Sequence, residues 1–189
     1  VVQMTGAFWV QLFAFALSAF VLVKSIQMHD APKSRYFIFL SIAIALYALG
    51  YLQELSAKDL TSAYRATTVQ YIGIVFIAPF IYLFIRHYIN RRVRGRLKIA
   101  LLFAVPLFTL ITATGYPYIK LYFRDIAFGV GGTPHLRATL GPVFYIDNIY
   151  GSLLMICSAA ELARHMPRRT RAERTQLGVF LLAMLVPVL

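Results

Sequence analysis

Long apolar runs alternate with short polar, arginine-rich segments along almost the whole chain. The runs fall at 7–24, 36–55, 66–88, 97–116, 142–162 and 175–189. Each is roughly 15–23 residues long, and about 20 helical residues at 1.5 Å rise cross a hydrocarbon core of about 30 Å. Runs of that length predict an all-α polytopic transmembrane bundle with six spans. One segment breaks the pattern. Between 117 and 141, Ile119, Leu121 and Phe123 alternate with Lys120, Tyr122 and Arg124, a period of two. Gly129, Gly131, Gly132 and Pro134 then supply turn residues, and 135–140 reads as a return strand. The pattern predicts a β-hairpin lying as a lid over the helix mouths. Its aromatic residues, Tyr116, Tyr118, Tyr122, Phe123 and Phe128, favour an ordered lid.

Composition agrees with the bilayer as solvent: 60% of residues are hydrophobic and 14% charged, against about 25% charged in a soluble domain. The net charge of +12 would suggest nucleic acid, but its distribution excludes that partner. Fourteen of the cations fall in the first, third and fifth inter-span loops or at the run ends that border them; five fall in the second and fourth loops. Cationic loops mark the cytoplasmic face, so the N-terminus, the lid and Leu189 are expected outside and the third loop against anionic lipid headgroups. Residues 1–189 read as a single transmembrane domain of a plasma (inner) membrane protein. With Leu189 at the outer face, an odd number of further spans is expected to follow.

The carboxylates that carry chemistry are those at depth. Asp30, Asp59, Asp125 and Glu173 lie in loops, with Asp59 and Thr61 as candidate helix caps. Glu161 sits at the inner end of the fifth span beside Arg164 and His165, an expected interfacial ion pair. Glu54, Asp147 and Gln70 all lie in the outer third of the bilayer, where polar groups face the bundle or a watery cavity and pair with something. At helical spacing Tyr47, Gly50 and Tyr51 share a face with Glu54. Tyr150 and Gly151 share one with Asp147, and Gly73 one with Gln70, with Tyr71 beside it. The small residues either open space or allow close helix contact. Either a ligand pocket or plain interhelical hydrogen bonding fits this pattern. Pro79, Pro106 and Pro187 lie inside spans and are candidate hinges or static kinks. Cys157, the single cysteine, reads as a small apolar side chain. His29, His87, His135 and His165 are scattered, and no metal, nucleophile–base or phosphate-loop pattern occurs, so neither catalysis nor a cofactor is expected.

Several stretches taken together resemble the N-terminal seven-transmembrane sensor region of bacterial membrane histidine kinases. They are Tyr47 to Ser56, then Gln70 to Ile74 with Pro79, then Gly141-Pro142-Val143-Phe144 running into Asp147 and Tyr150 to Leu154, and last Leu185 to Leu189. The resemblance implies a seventh span and a cytoplasmic output beyond Leu189, in the same chain and acting as a homodimer. It also implies a cavity for a small extracellular ligand marked by Glu54, Gln70, Tyr71, Asp147 and Tyr150, with Tyr47 and Tyr51 on the same face as Glu54. A small-molecule or ion transporter is the rival reading, since membrane carboxylates also suit proton coupling. Their position near one face rather than the midplane counts against it.

Overall fold

The computed structural model describes residues 6–27, 34–89, 91, 93, 95–129 and 135–165. The sixth run at 175–189, with Pro187, lies outside the described residues, as does the tip of the lid. Among the described residues, five helices are long and apolar enough to cross a membrane. They are α1 (Gly6–Gln27), α2 (Ser34–Leu55), α3 (Leu60–Tyr88), α4 (Arg96–Thr114) and α5 (Pro142–His165). Between α4 and α5 stand two strands, β1 (Phe123–Gly129) and β2 (His135–Leu140).

α3 starts at Leu60 rather than Ala66, so the second loop is shorter than the apolar pattern predicts. The cause is a cap. Asp59 accepts the Ser62 amide at 2.7 Å, and the Ser62 hydroxyl lies 3.2 Å from the Asp59 amide. This reciprocal capping box satisfies orphan donors and lets a polar first turn extend the helix. Thr61, the other candidate, falls inside α3.

Helices in lipid have little hydrophobic drive to associate, so close packing and polar contacts hold them. α3 is central and packs against α2, α4, α5 and both strands. Its tightest partner is α2. A Cβ placed on Gly50 would overlap the Gln70 backbone and the Ala66 carbonyl; one on Gly73 would overlap the Ala43 carbonyl and the Tyr47 amide. These glycines permit backbone-to-backbone contact; they do not open space between the helices. α1 joins through Gln11, which donates to the Ala48 carbonyl at 3.0 Å. Its outer surface, with Val10, Phe13 and Phe20 all more than half exposed, faces away from the bundle as lipid-facing side chains must. Cys157 is exposed in the same way on α5.

α3 and α4 each run through a proline, and Pro79 and Pro106 are both fully buried. Pro106 cannot donate to the carbonyl of Leu102, four residues back. That carbonyl instead accepts from the Tyr150 hydroxyl on α5, the kind of substitution that makes prolines tolerable in membrane helices.

The hairpin forms, antiparallel, with Phe123 opposite Leu140 and Gly129 opposite His135. It begins later than the alternation at 119–124 predicts. A register shift between Phe123 and Asp125 puts Tyr122 and Phe123 both in the interior, at 2% and 3% exposure. That breaks the strict in-out order a flat strand would keep. These two rings join Ala113 and Val143 in a core packed by Tyr64, Tyr71, Tyr116 and Phe144. A second core at the opposite end gathers Leu40, Ile81, Ile85 and Leu162.

Candidate functional site

The lid end concentrates the polar groups. Glu54, the second-last residue of α2, is only 7% exposed. One carboxylate oxygen accepts from the Gln70 side-chain amide on α3. The other accepts the backbone amide of Leu136 in β2 at 2.8 Å. A single carboxylate therefore ties two helices to the lid. The Leu136 amide belongs to a two-stranded sheet with open edges, and an edge amide near a membrane needs a partner.

A second tie runs beside it. The hydroxyls of Tyr71 on α3 and Tyr122 ahead of β1 lie 3.0 Å apart, and their rings meet edge to face at 5.0 Å between centroids. Burial, and then the neighbouring Tyr71, push the Tyr122 phenol far above its ordinary range. It stays a neutral hydroxyl at any physiological pH. The lid is closed at its root by Gly141, whose amide donates to the Tyr122 carbonyl at 2.6 Å. A Cβ there would collide with the Leu121 carbonyl. Tyr64 places its hydroxyl 2.8 Å from the Thr114 carbonyl, satisfying the end of α4 where the lid departs.

Asp147 faces α4, where the buried Thr109 hydroxyl donates to it at 3.0 Å. Tyr71 lies within electrostatic reach of both Glu54 and Asp147, and Tyr47 within reach of Glu54. The structure thus brings Glu54, Gln70, Tyr71 and Tyr47 together, with Asp147 also near Tyr71. Tyr51 is exposed, at 38%, although it shares the helical face of Glu54. Tyr150 stands apart. Its hydroxyl is committed to Leu102, and its ring lines a different space, nearer the cation-rich end. That space is a cavity of about 480 Å³ between α3, α4 and α5, bordered by Tyr82, Arg86, Lys98, Leu102, Tyr150 and Leu154.

Three participants carry no distinguishing signal in the sequence. Thr109 and Leu136 gave no signal, since a threonine in an apolar run and a backbone amide look ordinary. Tyr122 stands out in the sequence only as one of several aromatic residues of the alternating lid segment. Glu161 does form an ion pair, but with Arg86 of α3 at 2.7 Å, not with Arg164 or His165. Its helix turn aims it across the bundle, and His165 instead contacts the Glu161 main-chain oxygen. Among the described residues no group of three His, Cys, Asp or Glu side chains comes together.

A family model described as the N-terminal 7TM region of histidine kinase matches residues 10–189. No curated protein and no solved structure matches the chain.

Proposed function

The chain belongs to the family of N-terminal seven-transmembrane regions of histidine kinases, and from that premise we propose how this multi-pass sensor module works. A small ligand carrying a hydroxyl or cationic group enters from outside, under the lid. It takes the place of the Leu136 amide or the Gln70 amide on Glu54, with Asp147 as a second contact beyond Tyr71. Releasing the lid from Glu54 biases two arrangements of the helices, and ligand affinity that differs between them shifts the population. Pro79 and Pro106 are the bending points on the described helices. A seventh span carries the change to a kinase output in the same chain, working as a homodimer. An odd number of spans sets the lid end opposite that output, in agreement with the cation bias of the loops.

The observation that supports this reading best is the double engagement of Glu54. A buried carboxylate holding a lid amide is a contact in which a competing donor can keep the carboxylate paired while the Leu136 amide is released, so that exchange loosens the lid. The test uses the full-length protein in proteoliposomes, with autophosphorylation followed against a panel of amines and polyols added outside. The expected result is a compound that changes the phosphorylation rate, with the response lost in Glu54→Gln and Asp147→Asn while basal kinase activity persists. A response that survives in both variants rejects the site.

A further inference from the structure

The cavity at the cation-rich end is unrelated to the lid and grades in character along its depth. Arg86, in the last turn of α3, and Lys98, in the first turn of α4, stand at its boundary end. Leu102 and Leu154 form walls further into the bundle, and Tyr82 and Tyr150 complete it. Its volume of about 480 Å³ lies within the range of about 300–1,000 Å³ typical of small-molecule sites.

Arg86 is held in position from behind. Its Nη1 donates to Glu161 at 2.7 Å, its Nε to the Arg91 carbonyl at 3.1 Å, and its guanidinium lies 5.9 Å from the centre of the Tyr82 ring. Lys98 is exposed and has no ion-pair partner among the described residues. The first turn of α4 carries Arg96 and Lys98 and no acidic residue. Cations there oppose the helix dipole, and an anion relieves both. Two cations at headgroup depth above apolar walls match the outline of an anionic amphiphile.

We propose that this cavity binds an anionic phospholipid of the leaflet at the cation-rich end. Its phosphate sits between Arg86 and Lys98 and one acyl chain lies on Leu102 and Leu154. A free phosphate shares the headgroup chemistry but makes no use of the apolar walls, whereas a zwitterionic lipid uses the walls but carries a compensating cation.

The test is native mass spectrometry of the full-length protein in detergent, titrated with phosphatidylglycerol, phosphatidylcholine and inorganic phosphate. The expected result is phosphatidylglycerol bound at least about tenfold more tightly than phosphatidylcholine, with no displacement by millimolar phosphate. Lys98→Ala should weaken phosphatidylglycerol about fivefold, the effect of removing one cation near a membrane surface. Leu154→Trp fills the apolar end without touching a charge and should weaken it by a similar factor. Equal affinity for the two lipids overturns the proposal. So does displacement by inorganic phosphate, which would make this a free-anion site. Unchanged binding in Leu154→Trp overturns it too, by reducing the effect to surface charge.

Discussion

The two ends of the bundle handle polar groups in opposite ways. At the lid end they are turned inward and engaged with one another: Glu54 with Gln70 and Leu136, Tyr71 with Tyr122, Asp147 with Thr109, Tyr64 with the end of α4. At the cation-rich end a single ion pair among the described residues, Arg86 with Glu161, crosses the bundle, and a cavity opens beside it. The difference follows from what each end must hold. The lid is non-helical backbone at a membrane boundary, and its unpaired amides need partners that lipid does not offer. The opposite end contains helix termini and cations that reach water and headgroups directly. Polar density therefore marks where irregular backbone meets the bilayer, and it is there that the proposed exchange of hydrogen bonds with a ligand would take place.

The largest effect that separates the ends should come from the α2–α3 contact below the lid. Gly73→Leu drives a side chain into the α2 backbone and should cost about 3 kcal/mol, at the upper end of overpacking penalties, read as a lost or strongly lowered melting midpoint in detergent. Gly151→Ala is the control, since a Cβ there would meet only Ala78 at 4.0 Å, and its midpoint should stay near that of the parent.

Glu54→Ala should free the lid alone. It strands the Leu136 amide and the Gln70 side chain, at about 2 kcal/mol for buried groups left unpaired. Amide exchange across 135–140 should speed up by about thirtyfold, while protection in the last turns of α3 is unchanged. Uniform acceleration at both ends would show instead that the two ends are one cooperative unit.

Tyr150→Phe probes the region between the ends. It removes the donor to the carbonyl freed by Pro106 and should lower stability by about 1 kcal/mol, with exchange rising in α4 around residue 106.

The smallest effect concerns pH. The Ser62 amide and hydroxyl beside Asp59 hold its carboxyl below the ordinary value of 3.8. A depressed carboxylate contributes stability in full above 3.8 that is lost as pH falls through its lower, folded value. Exchange at the Ser62 amide should therefore rise only in strongly acid solution. Asp59→Asn keeps a cap that does not titrate and should flatten that dependence.

Much of this was legible because lipid imposes length. The spans at 36–55, 97–116 and 142–162 each match a helix to within a few residues at either end. The hairpin was legible from its turn residues, but its starting point was not. A bulge depends on which two rings the core accepts, and Tyr122 and Phe123 are chosen by Tyr71 and Phe144, distant in sequence. The same holds for the site. Depth along a helix singled out Glu54, Gln70 and Asp147. Nothing in the chain could announce that Glu54 meets a backbone amide 82 residues away, or that Tyr150 would be taken up by the carbonyl that Pro106 leaves open. The glycines allowed two readings until the facing backbone was seen.

Those glycines also limit how any signal can travel. At the levels of Gly50 and Gly73, α2 and α3 meet main chain to main chain, whereas nearer the cation-rich end Phe37 and Phe39 pack against Phe84 and Phe80. The pair is a keyed shaft. A pair keyed in this way is expected to turn or tilt as one piece, with relative displacement taken up where α4 and α5 meet α3.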